Sequence, residues 1–364
     1  MLFKSMQHRH LVRAGIVILS TATALAVSAC GTTSAIPTTT TTTTTTLPTP
    51  IGVFSTQPSG VAAFEGPVLR VAVPLLANGA DTLPPPPAGQ RTSVGTVKIG
   101  YRQFGSGPNL VLAMGEHGSM SWWDPTFLNT LSQNYRVTIF DDPAVGYSAA
   151  LTRAPSVETD GDLMAGLIAS LGLTNVTILG WGMGGEAALS LAERHPKIAV
   201  ALVLVDATAG GPASVRPAAV ASGVIGASTS TMIEISRVMF PSTSVGEAAR
   251  HAWLNDIANV APDDVLFSTV SAQAAAQDAF FQNDRVARLL STIAIPTWIF
   301  QGTADEIIPK QNAELLATSI PGSTITLEAD AGYAGLFQDS VAFLRGLSSF
   351  FSHVATVTTT TSGS

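Results

Sequence analysis

The stretch Val176-Thr177-Ile178-Leu179-Gly180-Trp181-Gly182-Met183-Gly184-Gly185 constrains this chain more than any other. Four strand-forming residues run into a turn with four glycines in six positions, and a helix follows from Glu186 to His195, where Pro196 stops it. Glycine lets the backbone turn sharply and lets a helix pack close against its strand. A strand that turns directly into a helix is one unit of a parallel sheet with crossover helices.

The surrounding sequence repeats that unit. Leu110–Ala113, Val137–Phe140, Val200–Val205, Pro296–Phe300 and Thr324–Leu327 read as short buried strands. Between and after them, Phe127–Leu131, Val157–Leu171, Lys310–Ser319 and Val341–Phe351 read as helices, with Leu163, Leu167 and Leu171 on one face of the second. Val94–Phe104 alternates as a hairpin that Gly105-Ser106-Gly107-Pro108 would close. From Asp206 to Ile293 the pattern is Ala-rich and helical, without strands, and too long for an ordinary connection. It reads either as a cap over the carboxyl ends of the strands, where open α/β sheets bind ligands, or as a peripheral bundle with no gating role.

The ends differ from this core. Lys4, Arg9 and Arg13 precede the apolar stretch Ala14–Ala26, the pattern of a secretory leader. It closes on Val27-Ser28-Ala29-Cys30, which resembles a bacterial lipobox with Cys30 as the acylated residue; the plainer reading is a cleaved signal beside a chance cysteine. Cys30 is the only cysteine, so no internal disulfide forms. An unbroken threonine run, Thr38–Thr46, lies in a Thr/Pro-rich segment too polar to bury a core, which reads as a tether. Val68–Leu76 has strand character, and Pro84–Pro87 breaks it. The divisions are a leader at 1–29, a tether and extension at 30–90, core at 91–208, cap at 209–292, core again at 293–354, and a disordered Thr-rich tail at 355–364. Charged residues make up only 12% of the chain and the net charge is −7, with no Lys/Arg cluster beyond the leader. That excludes nucleic acid as a partner. The expected address is extracytoplasmic, on the membrane through the lipid.

Three stretches carry a resemblance to a known family. Tyr101-x-x-x-Gly105-x-Gly107-Pro108 ahead of an apolar strand, Asp141-x-x-x-x-Gly146-x-Ser148, and Gly180 through Asp206 resemble the opening hairpin, the turn after strand 4, and the elbow, helix and next strand of α/β-hydrolases of the esterase, haloperoxidase and C–C hydrolase type. The resemblance covers residues 94 to 352. It implies an α/β-hydrolase fold: a mostly parallel central sheet flanked by helices, with a helical cap insertion. It also implies a nucleophile, acid and base in that chain order, at Gly182, Asp305 and Tyr333. Only Asp305 has the family's residue type. Glycine carries no attacking atom, and tyrosine, with a reference pKa near 10, is a poor proton acceptor at neutral pH. Met114-Gly115 replaces the His-Gly of the oxyanion loop, and Ala144 the first glycine of the strand-4 turn. The backbone N–H groups of Glu116 and Met183 stand at the oxyanion-donor positions.

His117 is the one histidine expected to face the pocket, with Asp141, Trp181 and Asp206 as further pocket candidates. Asp141 and Asp305 are expected to hold turns and Glu116 to be solvated, rather than to form a metal site; no metal and no cofactor is expected. Trp122, Trp123 and Trp181 read as pocket wall rather than as a dedicated cage. The expected function is that of a lipid-anchored pseudohydrolase binding an acyl or apolar small molecule, or an envelope partner. The competing readings are a divergent esterase-like hydrolase with non-standard catalytic residues, and an interaction module whose pocket has been filled.

Overall fold

A computed structural model describes residues 91–151, 153–227, 229–258, 265 and 267–361. The leader, Cys30, the tether and Val68–Leu76 lie outside the described residues. Eight strands form one sheet in the order β1-β2-β4-β3-β5-β6-β7-β8. β1 (Arg91–Val94) and β2 (Val97–Phe104) are antiparallel, and β2 also runs antiparallel to β4 (Arg136–Phe140). β3 (Asn109–Ala113), β4, β5 (Val176–Trp181), β6 (Ala199–Val205), β7 (Thr297–Gly302) and β8 (Thr324–Glu328) pair in parallel.

Alternation along the strands gives the sheet two buried faces. Leu112, Leu179 and Val203 join the core under α1 (Pro125–Ser132) and α11 (Ser340–Thr361). Val111, Ile178 and Leu202 join the core under α2 (Val157–Ser170), α3 (Met183–Arg194) and α9 (Gln311–Ser319). α2 starts where the Ser156 side chain accepts from Thr159 N, which satisfies one of the free donors of a helix start. Between β6 and β7 come α4 (Ala219–Ile225), α5 (Met232–Met239), α6 (Ser244–Ile257), α7 (Phe267–Gln282) and α8 (Arg285–Leu289). Among the described residues this insertion holds no strand, and it places Met239, Phe240 and Trp253 in the same core as Trp181.

Two boundaries differ from expectation. The hairpin turns at Gly95-Thr96, where Gly95 takes a φ of 59°, so Gly105–Pro108 links β2 to β3 instead. The closing helix runs on to Thr361, through most of the segment expected as a disordered tail and past His353. Threonine is a weak helix former, but one already-nucleated helix propagates through it at modest cost per residue. Among the described residues, no helix is long and apolar enough to cross a membrane.

The order of strands fixes the site. β3 pairs with β4 on one side and β5 on the other. The connections therefore diverge at the carboxyl ends of β3 and β5, the place where open α/β sheets bind ligands.

Candidate functional site

β5 ends at Trp181 and α3 begins at Met183, leaving Gly182 as the whole of the turn. Its backbone sits at φ 54° and ψ −123°, a region costing on the order of 1–3 kcal/mol for a residue with a side chain and little for glycine. The turn is pinned on both sides: Gly182 N donates to Val205 O at 2.9 Å, and Gly182 O accepts from Gly185 N (2.8 Å) and Glu186 N (3.1 Å). The second wall is the loop after β3, closed by Gly118 N donating to Gly115 O at 3.2 Å.

Tyr333 fills the space between these walls. It is 7% exposed and arrives from the loop between β8 and α10 (Gly335–Gln338). A Cβ added to Gly182 would overlap the Tyr333 hydroxyl and stand 3.0 Å from its Cζ; one added to Gly115 would overlap the same oxygen. The phenol oxygen therefore lies where a side chain on the elbow would begin. The ring stacks on Trp181 with centroids 4.9 Å apart, and Trp181 Nε1 donates to Tyr333 O at 2.8 Å. Trp181 in turn packs against Trp123 (5.9 Å) and Phe337 (5.4 Å). Only about 20 Å³ of cavity remains at the elbow, lined by Glu116, Trp122, Gly182, Met183, Gln277 and Tyr333 among others. That is room for about one water molecule.

Burial is the dominant electrostatic fact. It pushes the Tyr333 phenol well above its usual range, and the carboxyls of Asp206, Asp305, Glu116 and Glu186 push it further. The hydroxyl stays protonated, so its place above the elbow does not make it a nucleophile. Asp305 is committed to its turn: Oδ1 accepts from Ile307 N (2.7 Å) and Ile308 N (3.0 Å), and Oδ2 from Gln301 Nε2 (3.1 Å). Burial raises its pKa to about 7 against these hydrogen bonds. Glu186, fully buried in the first turn of α3, is raised by burial to about 8 although Gln277 Nε2 donates to it at 2.9 Å.

Of the residues singled out from the sequence, Gly182, Tyr333, Glu116 and Met183 meet around one cavity. The four further pocket candidates do not line it. His117 faces the cap: its Nε2 is 3.0 Å from Val270 O, its backbone N donates to Gln273 Oε1 at 3.0 Å, and it is 6% exposed. A carbonyl can only accept, so Nε2 carries a hydrogen toward Val270 O; burial lowers the ring's pKa against the backbone carbonyls of Val270 and Ile225. Asp141 is fully buried and receives Met120 N (2.7 Å) and Tyr147 N (2.9 Å), the turn-holding role expected of it. Asp206 is equally buried, with Oδ1 receiving Gly302 N at 3.0 Å across the ends of β6 and β7. Trp181 has no exposed surface and belongs to the core behind Tyr333. Trp123 is buried with it, while Trp122 does form wall.

Glu116 corrects a different expectation. It is mostly buried, with 17% of its side chain exposed; burial, and secondarily Asp278, raise its carboxyl to about 7. Gln277, Met239 and Ile225 of the insertion, of which its Ala-rich pattern gave no sign, complete the lining with Ile307 and Ile308 of the turn after β7. Among the described residues, no group of three or more His, Cys, Asp or Glu is arranged to hold a metal ion.

An elbow at the end of β5, an oxyanion-type loop after β3 and an acid turn after β7, on this sheet, define an α/β-hydrolase. Residues 110–345 match the model of the alpha/beta hydrolase family, and the chain belongs to that family. Its similar relatives include the putative carbamate hydrolase RutD of Pseudomonas syringae pv. syringae, 26% identical over 257 residues, which span 69% of this chain and 96% of that protein. A 2-hydroxy-6-oxononadienedioate/2-hydroxy-6-oxononatrienedioate hydrolase of Cupriavidus pinatubonensis is 27% identical over 271 residues, 69% of this chain and 91% of the other. Among solved structures, an alpha/beta hydrolase fold protein from Chitinophaga pinensis matches with a TM-score of 0.63 at 21% identity, covering 72% and 96% of the two chains. An esterase from Exiguobacterium antarcticum matches at 0.59 and 23%, covering 70% and 95%. At these identities the structural likeness is one of fold.

Proposed function

We propose that this chain is a non-catalytic member of the α/β-hydrolase family, held outside the membrane through acylated Cys30 on its Thr/Pro tether, and working by binding. One observation carries the first part: the Tyr333 hydroxyl occupies the space a nucleophilic side chain on Gly182 would need. The two replacements fit each other. Tyrosine at the base position reaches the elbow only because the elbow has no side chain. With about 20 Å³ left, an acyl group has no room beside the turn. Sites of this kind stripped of their catalytic residues retain roughly 10³–10⁴ of rate over water only by binding and orienting the acyl group, which the filled turn does not admit here.

The anchor rests on the sequence around Cys30. Cys30→Ala is expected to move the protein from the membrane to the soluble fraction, and unchanged fractionation contradicts the anchor.

The relatives' names favour a second reading, a hydrolase with unconventional residues. Turnover of short p-nitrophenyl esters separates the two. The protein is expected to give no rate above background, as is His117→Ala. A rate proportional to protein concentration, lost in His117→Ala or Glu116→Gln, would instead establish the hydrolase.

A further inference from the structure

Outside the plugged elbow lies a second, larger cleft. It has a volume of about 160 Å³, between α4, α7 and the loop after β3, and it shares Glu116, Ile225, Gln277, Ile307 and Ile308 with the small cavity. A cavity of about 150 Å³ lined by apolar side chains holds a molecule the size of benzene. Ala221, Ile225, Ala274, Phe281 and Ile308 supply such a lining here.

The Glu116 carboxyl is on the lining with 17% of its side chain exposed. Its nearest donor, His117 Nε2 at 3.2 Å, has its single hydrogen shared with Val270 O. Gln277 donates one amide N–H to Glu186, and its Oε1 is closed off from the cleft, so Glu116 is the acceptor a ligand meets. Among the described residues Arg216 is the one cationic side chain on the lining, and it is paired: Nη1 lies 2.7 Å from Asp278 Oδ1, and its guanidinium sits 4.8 Å above the Phe281 ring.

We propose that this cleft binds a small apolar amine of about one ring in size, its ammonium group on the Glu116 carboxyl and its hydrocarbon body against Ile225, Ile308 and Phe281. The proposal deepens the binding function above by naming the ligand's chemistry. It rests on that reading only in that the ligand is held and not converted, which ester turnover tests separately.

Calorimetric titration of the full-length protein at neutral pH with benzylamine, benzyl alcohol and benzoate tests it. Benzylamine is expected to bind at least tenfold more tightly than the other two. Glu116→Gln is expected to weaken benzylamine roughly ten- to hundredfold, the loss of one charge-assisted hydrogen bond, and to leave benzyl alcohol unchanged. Ala274→Phe, which fills the cleft from α7, is expected to remove binding altogether. Equal affinity for the three compounds, a preference for benzoate, benzylamine affinity indifferent to Glu116→Gln, or no binding of any of them would each overturn the proposal.

Discussion

At Gly182 and Tyr333 two replacements far apart in the chain share one volume, and their energies should be coupled. Gly182→Ala forces a Cβ onto the tyrosine hydroxyl and puts alanine in a positive-φ region. Overpacking of this kind costs about 1–3 kcal/mol, on top of the backbone strain. In a Tyr333→Phe background the overlapping oxygen is gone and the nearest remaining atom is Cζ, at 3.0 Å. Chemical denaturation of the four proteins of that double-mutant cycle is expected to show a coupling of at least about 0.5 kcal/mol; additive costs would mean that the two residues do not compete. Ala144 offers a simpler case. It holds a φ of 62° where the family resemblance expects glycine. Ala144→Gly is expected to stabilise the protein by about 0.5–1 kcal/mol, the relief of left-handed strain less glycine's extra unfolded entropy. The identity of each residue at these positions was readable from motif spacing. That the tyrosine's oxygen lies on the elbow was not, because its reach depends on how the loop after β8 packs on Trp181.

The cap is held to the core by side chains and by isolated backbone bonds, Ala218 N to Glu306 O (2.9 Å) and Ala334 N to Met239 O (3.0 Å), rather than by sheet pairing. His117 and Gln273 carry much of this: one ring nitrogen to Val270 O and one backbone N–H to the Gln273 side chain join the loop after β3 to α7. Thr269 Oγ1 donating to Ala144 O at 3.1 Å adds a tie from the strand-4 turn. His117→Ala is therefore expected to speed amide hydrogen exchange in α7 while α3 and the central strands keep their protection; unchanged exchange in α7 would deny His117 that role. The helical content of the insertion was legible in its lack of strands and its alanine richness. Which faces meet the core was not. Gln277 toward Glu186 and Asp278 toward Arg216 are neighbours in sequence, and an alanine-rich helix gives no apolar stripe to orient it. The same gap made His117 look like a pocket residue, since the cap that claims it could not be placed.

Among the described residues, burial has raised more carboxyls than ion pairing has lowered. Glu116, Asp142 and Asp305 are pushed to about 7 and Glu186 to about 8, each chiefly by desolvation. A carboxyl whose pKa is higher in the folded state binds protons more readily there than in the unfolded chain. Its contribution is fully present below the unfolded value near 4.5 and is lost as pH rises through the folded value. Thermal unfolding is therefore expected to give a higher midpoint at pH 6 than at pH 8.5, and the reverse order would contradict these carboxyls' being buried. The parallel sheet, the order of elements and the elbow were all legible because periodicity and glycine spacing encode them locally. The filled site and the acidic interior were not, since both arise from side chains that only the tertiary fold brings together. The central claim is that nothing at the elbow attacks an acyl or phosphonyl centre. Its most direct test is intact-mass and peptide analysis after incubation with a fluorophosphonate. No adduct is expected on any residue lining the elbow or the cleft, whereas stoichiometric phosphonylation of Tyr333 or a neighbouring side chain there would contradict the account.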